Sequence, residues 1–223
     1  MKELNLLKLY PKKDQSRSKV SNERSVVHRI VAGDRDFDFF DGDRSYGYGG
    51  LKQDFRWEPI ARDICATLGL KKNARVLQIN CEKGFLLHAF SNHIESNQIV
   101  GTESSEYALV HSYSRDEYSL VKSKLPRLVF KSNSFDLVIS LGNVYTLSLK
   151  DALNHLTEIE RVKKFHSYVT LATYENEEQY FLFKKWSLLA NLILKRSEWL
   201  DLMKMAGYSG YYSFIDSKYL GLE

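Results

Sequence analysis

Residues 74–90, ARVLQINCEKGFLLHAF, constrain this chain more than any other stretch. Val76, Leu77, Gln78 and Ile79 form a short, mostly apolar run, and beyond Gly84 the apolar residues Phe85, Leu86, Ala89, Phe90 and Ile94 recur at helical spacing. The pattern predicts strand, tight turn, helix. A second strand follows at Ile99, Val100, Gly101 and Thr102, closed by Glu103. That acid falls roughly twenty residues beyond the turn, where a dinucleotide-type fold sets a carboxylate against ribose hydroxyls. The spacing predicts a nucleoside pocket.

A chain of 223 residues with 43% hydrophobic and 13% aromatic content suits one domain with a sizeable core. The net charge of +4 is mild, and basic residues mostly alternate with acidic ones, so nucleic acid is not an expected partner. No apolar run is long enough to span a bilayer, and the opening MKELNLLKLYPKK lacks the apolar core of a signal peptide. Cys65 and Cys81 have no metal-ligand spacing, and the histidines form no ligand motif. The expectation is a cytoplasmic protein with reduced thiols and no metal.

Residues 1–31 read as a polar arm that packs late or stays mobile. The segment 39–50, FFDGDRSYGYGG, is rich in glycine and aromatics, with Arg44, Tyr46 and Tyr48 as contact residues. It suits either a cap on the sheet edge or a lid over the nucleoside pocket. The chain therefore divides into an arm and cap or lid over 1–57 and a main domain over 58–223. Within the latter the pattern gives a helix over 58–68 ending at Gly69, then a helix running through Tyr113 or beyond. A buried strand over 135–141 is followed by the strand-end loop Gly142, Asn143, Val144, Tyr145, Thr146. Ser148 caps the next helix, 168–171 is the fifth strand, and 177–194 reads as one long helix. Apolar residues from Tyr180 to Ile193 occupy more than one face of it, which requires either packing against the sheet or a homodimer or hetero-oligomer interface. A helix from Ser197 to Gly207 and a strand over 211–215 end the chain.

VLQINCEKGFLL resembles the first motif of class I S-adenosylmethionine-dependent methyltransferases, V-L-D-x-G-C-G/A-x-G-x-L. VGTESS resembles their second motif, NSFDLVIS their fourth, and ALNHLTEIERVK the helix after it. FDGDRSYGYGG, Arg56-Trp57 and GYSGYY further resemble a bacterial subgroup, extending the similarity from about Phe39 to Phe214. The resemblance implies a doubly wound, mostly parallel Rossmann-like α/β sheet of six or seven strands with helices on both faces. It implies S-adenosylmethionine as cofactor and a small-molecule or saccharide-pathway substrate.

By the same resemblance, Glu103 and Ser104 hold the ribose, Gln78, Asn80, Cys81, Glu82 and Gly84 surround the methionine part, and Gly142 lies near the transferred methyl. Asn143 and Tyr145 are the catalytic candidates; Arg44, Tyr46, Tyr48, Tyr174 and Tyr211 are the substrate or lid candidates. Several of these positions depart from the pattern. Gln78 stands for Asp, Asn80 for Gly, Glu82 for Gly or Ala, and Tyr145 for the subgroup's His. A carboxylate at Glu82 would repel the cofactor's own carboxylate, at a cost of up to about 4 kcal/mol at 4 Å in an effective dielectric near 20, unless it pairs with the ammonium instead. Two readings follow: a methyltransferase with an altered cofactor loop, or an inactive homologue serving as a partner protein.

Overall fold

The computed structural model describes residues 1–11, 17 and 24–222. Seven strands form one sheet: β1 Lys2–Glu3, β2 Val76–Ile79, β3 Ile99–Glu103, β4 Ser119–Lys122, β5 Phe135–Ser140, β6 Lys163–Ala172 and β7 Tyr211–Ile215. Their spatial order is β1-β7-β6-β5-β2-β3-β4, and each neighbouring pair is parallel. The helices are α1 Val26–Gly33, α2 Phe37–Phe40, α3 Trp57–Leu68, α4 Phe85–Ser91, α5 Glu106–Val110, α6 Leu149–Val162, α7 Glu177–Trp186, α8 Arg196–Met205 and α9 Ser217–Leu220. From β2 the chain first moves outward through β3 and β4, then returns to β5 on β2's other side. That reversal opens a crevice at the carboxyl ends of the central strands, where sheets of this kind bind ligands.

Alternation along the strands feeds two cores. Leu77, Ile79 and Val138 face the layer of α6 and α8, with Leu156, Ile159, Trp199 and Met203 buried there. Val76, Leu137 and Ile139 face the layer of α3 and α4, against Ile60, Ile64, Leu87 and Phe90. Both faces of the central strands are buried, which explains their near-continuous apolar sequence.

The seventh strand comes from an unexpected place. The start of the chain, read above as part of an arm that packs late or stays mobile, pairs with β7: Lys2 N donates to Gly210 O at 3.1 Å and Leu4 N to Tyr212 O at 2.9 Å. Leu6 and Leu7 follow it into the α3 core with 2% and 7% exposure, and burying two leucines stabilises this attachment by about 3–6 kcal/mol before entropy. The remainder of the expected arm, 12–16 and 18–23, lies outside the described residues, whereas 26–33 is helix α1.

Two other expectations are corrected. The helix expected to reach Tyr113 stops at Val110. The helix expected over 177–194 ends at Trp186, with Ser187 already extended (φ −78°, ψ 126°). Beyond it the backbone pairs with the body instead: Asn191 N and Leu192 N both donate to Tyr145 O at 2.9 Å, and Leu194 N to Ala172 O at 3.3 Å. Tertiary hydrogen bonds outcompete helix propagation there. The apolar surface of 180–193 is largely covered within the chain. Phe183, Leu188, Ala190 and Ile193 are buried, while Phe181 remains 63% exposed.

Candidate functional site

The turn between β2 and α4 keeps its shape despite its altered residues. Asn80 and Glu82 adopt left-handed backbone conformations (φ 47° and 55°), as does Gly84 (φ 77°). Asn is the least strained replacement for glycine at such a position, whereas Glu82 carries the greater strain. A Cβ at Gly84 would lie 2.2 Å from the Tyr118 hydroxyl, so close packing as well as φ requires glycine there. Cys81 turns inward: its side chain is buried against Gly101, its N–H donates to Thr102 O at 2.9 Å, and burial raises its thiol pKa well above the ordinary value. Gln78 is also buried, and its Oε1 has no hydrogen-bond partner.

Glu103, at the carboxyl end of β3, is wholly buried. Its Oε1 accepts from Ser104 N (2.8 Å) and Ser105 N (2.9 Å), and its Oε2 from Glu82 N (2.8 Å). Arg35 completes the shell, Nη2 lying 3.3 Å from both carboxylate oxygens. The β2–α4 turn is thus tied to the very acid expected to meet a ribose. Arg35 itself has φ 51° and packs its guanidinium over the Phe39 and Phe40 rings, 5.3 and 5.6 Å from their centroids. Burial opposes its charge, but Glu103 and then Glu82 outweigh that and raise its pKa.

The glycine- and tyrosine-rich segment covers this turn. Phe40 is fully buried in a small cluster with Ala32, Phe39, Ala108 and Leu188. Lys83 Nζ reaches across to Asp41 (2.7 and 2.5 Å) and Leu51 O (3.1 Å), and the Tyr107 hydroxyl donates to Asp41 at 2.6 Å. Burial alone would raise the Asp41 pKa, but its bonds from Lys83 and Tyr107 prevail and lower it. The Tyr48 hydroxyl donates to Glu82 Oε1. Burial, reinforced by Glu103, pushes the Glu82 carboxyl up against the opposing pull of Arg35 and Tyr48. Arg44 folds back to donate to Gly47 O, and Tyr46 packs its ring on His28.

On the other side of the crevice, Asn143 joins two strand ends. Its Nδ2 donates to Ile79 O at 2.9 Å, and its Oδ1 accepts from Asn80 Nδ2 at 3.1 Å. Beneath it Ser140 Oγ lies 3.3 Å from Asn143 Nδ2 and 3.1 Å from Nε2 of fully buried His155, whose pKa burial lowers to about 4. Gly142 (φ 71°) donates its N–H to Thr170 Oγ1 at 2.7 Å. The Tyr145 hydroxyl would lie 3.2 Å from a Cβ on Gly142, and its pKa rises to about 12 through burial and then Glu82. Tyr145 is therefore a neutral donor near neutral pH rather than a base. Tyr174 packs on Tyr180 beyond β6. Tyr211 is not brought to the crevice: it lies on β7, two strands beyond β5, where it pairs with Lys2 of β1 and stacks on His166.

An open cleft of about 630 Å³ runs along the crevice, lined by Asn80, Ser104, Lys124 and Thr146 from beyond β2, β3, β4 and β5, and by residues of α1, α7 and the 188–191 segment. Arg35, Asp41, Lys83 and His155 were not identifiable as site residues from sequence, since their partners lie many positions away in the chain. Among the described residues no group of three or more His, Cys, Asp or Glu is placed to hold a metal ion, and no helix is long and apolar enough to cross a membrane.

This geometry defines a Rossmann-like sheet of the class I methyltransferase type, and residues 77–170 match the family model described as a methyltransferase domain. An uncharacterised methyltransferase of Schizosaccharomyces pombe is 28% identical over 122 residues, 48% of this chain; the match spans 43% of that protein's length. Among solved structures, a chain of the Haloferax volcanii complex containing the Trm112 methyltransferase activator superposes with a TM-score of 0.55 at 20% identity, covering 66% of each chain. The Bacillus YcgJ protein gives 0.55 at 18% identity, again over 66% of each chain. The [4+2]-cyclase SpnF gives 0.53 at 16% identity, over 67% of this chain and 56% of that one. At these identities the structural likeness shows the fold alone.

Proposed function

We propose that this chain is an S-adenosylmethionine-dependent methyltransferase for a small-molecule substrate of saccharide-pathway type, with 35–51 acting as a lid over its cofactor site. The observation that carries this reading is Glu103: a fully buried carboxylate at the carboxyl end of β3, with the 80–84 turn hydrogen-bonded to it. A buried carboxylate at that strand end fits a ribose diol, and the Gly142–Asn143 loop forms the facing wall. The bound cofactor supplies an activated methyl group on a sulfonium. Asn143 fixes the loop that faces it, the neutral Tyr145 hydroxyl orients the acceptor molecule by hydrogen bonding, the proton lost by the attacking oxygen or nitrogen passes to solvent, and the aromatic lid covers the cofactor side.

Arg35 shares Glu103 with any ribose, so cofactor binding requires the guanidinium to withdraw. A bidentate diol on a carboxylate makes bonds worth roughly 1.5–3 kcal/mol each. Calorimetric titration of S-adenosylmethionine and S-adenosylhomocysteine into wild type, Glu103→Gln and Arg35→Ala tests the reading. The expected result is about tenfold weaker binding for Glu103→Gln and severalfold tighter binding for Arg35→Ala. Equal binding by wild type and Glu103→Gln removes Glu103 from the site.

A second reading, an inactive homologue acting as a partner protein, is favoured by the same Arg35–Glu103 pair and by Glu82 standing in the cofactor turn. The exposed Phe181 offers a surface for such a partner. Absence of cofactor binding in all three proteins, Arg35→Ala included, supports it.

A further inference from the structure

The cleft outside β2–β5 carries positive charge from separate elements and no negative charge. Arg29 of α1, Lys184 of α7, Lys124 beyond β4 and Arg35 line it; no Asp or Glu does. Arg35 is answered by Glu103, but among the described residues no carboxylate forms an ion pair with Arg29, Lys124 or Lys184. The net charge of the whole chain is only +4, so this excess is local.

Two of these cations are held in place by backbone. Arg29 Nη1 donates to Ser187 O at 2.8 Å and Nη2 to Lys184 O at 2.5 Å, while Lys184 Nζ donates to Ala190 O at 2.8 Å. These carbonyls, at and just beyond the end of α7, bring the two charges together, and Lys184 titrates below its ordinary value through burial and then Arg29. Like charges gathered in a concave site favour an anion strongly. Leu125, Leu147, Leu188 and Leu189 give the same cleft an apolar lining beside these charges.

We propose that this cleft binds a small phosphorylated molecule whose body has an apolar face, the phosphoryl group lying among Arg29, Lys184 and Lys124. A dianion matches a guanidinium and two ammonium groups arriving from three elements better than a single carboxylate does. A cleft of about 630 Å³ lined by four leucines and three of these cations suits a small molecule; a nucleic-acid strand needs an extended basic track with stacking aromatics. Because Asn80, Ser104 and Thr146 line the same cleft, the phosphorylated molecule lies beside the Glu103 turn and is the acceptor of methyl transfer. That last assignment rests on the methyltransferase reading; phosphate binding does not.

The test uses the full chain without any adenosyl compound. Octyl phosphate, octanol and inorganic phosphate are titrated by calorimetry into wild type, Lys124→Gln and Lys184→Gln at fixed ionic strength. Octyl phosphate binds saturably, octanol about tenfold more weakly or not at all, and inorganic phosphate competes. Each variant weakens octyl phosphate by about threefold or more. Lys124 is exposed and makes no hydrogen bond among the described residues, so Lys124→Gln keeps the wild-type melting temperature and separates binding from folding. Unchanged affinity in both variants, octanol binding as tightly as octyl phosphate, or displacement by a lower concentration of a single-stranded oligonucleotide overturns the proposal. Octyl phosphate binding in a protein that takes no S-adenosylhomocysteine upholds the phosphate site while the methyltransferase reading falls. The reverse pattern overturns only the phosphate site.

Discussion

The two halves of the crevice treat charge in opposite ways. On the lid side Glu103 faces Arg35 and Asp41 faces Lys83, each carboxylate also taking backbone or hydroxyl donors. On the α7 side Arg29, Lys124 and Lys184 line one cleft whose lining contains no carboxylate. The lid half is complete without a ligand, because the chain supplies both charges. The open half is not, so under the proposed function a ligand competes with Arg35 on the lid side and enters the open side directly. Paired buried charges make weak net stabilisers but costly ones to break, whereas unpaired cations at a cleft change little when one is removed.

The largest effect should come from breaking the completed half. Glu103→Ala leaves the N–H groups of Glu82, Ser104 and Ser105 and the Arg35 guanidinium without their acceptor. Urea denaturation should show a loss of about 3–5 kcal/mol. A loss below 1 kcal/mol would mean that the lid half is as loosely held as the open half, and the contrast would fail.

A smaller effect concerns the floor that both halves share. His155 is buried and neutral, with its pKa lowered from 6.5 to about 4. Between those values the unfolded chain binds a proton that the folded chain refuses, so stability rises with pH across this window and is lost as pH falls through it. Full titration amounts to about 3 kcal/mol. His155→Gln should flatten this pH dependence between about pH 4 and 6.5, measured as denaturation midpoints against pH; an unchanged slope would remove His155 as its source.

The smallest effect sharpens the boundary of the lid. Tyr48→Phe removes the hydroxyl that meets Glu82 at the lid's partly exposed rim. The expected cost is about 1 kcal/mol, with faster proteolysis confined to 39–50. Cleavage unchanged by the substitution would place the hold on the lid wholly in the Lys83–Asp41 and Arg35–Glu103 pairs.

Much of the framework is written locally. The strand–turn–helix around Gly84 and the strand end at Glu103 follow from apolar periodicity and glycine spacing, both visible within one short window. So do the Ser148 cap, whose Oγ accepts from Asp151 N at 3.2 Å, and the strand over 211–215. Position 80 belongs here too, since an Asn at a turn signals its left-handed backbone. Other features have no local signature. The 187–194 segment carries helix-compatible residues, yet its N–H groups pair with Tyr145 O and Ala172 O, distant in sequence. Lys2–Glu3 becomes an edge strand only because β7 leaves that edge open and Leu6 and Leu7 find the α3 core.

The sequence by itself determined the α/β alternation, the site of the turn and the identity of the buried acid, because those depend on neighbours within a turn or a strand. Tertiary structure alone decided that Arg35 answers Glu103, that Lys83 answers Asp41 and that Arg29, Lys124 and Lys184 share a cleft. Charge interacts through space, and the spatial neighbours of these side chains are set by a sheet whose order departs from the order of the chain.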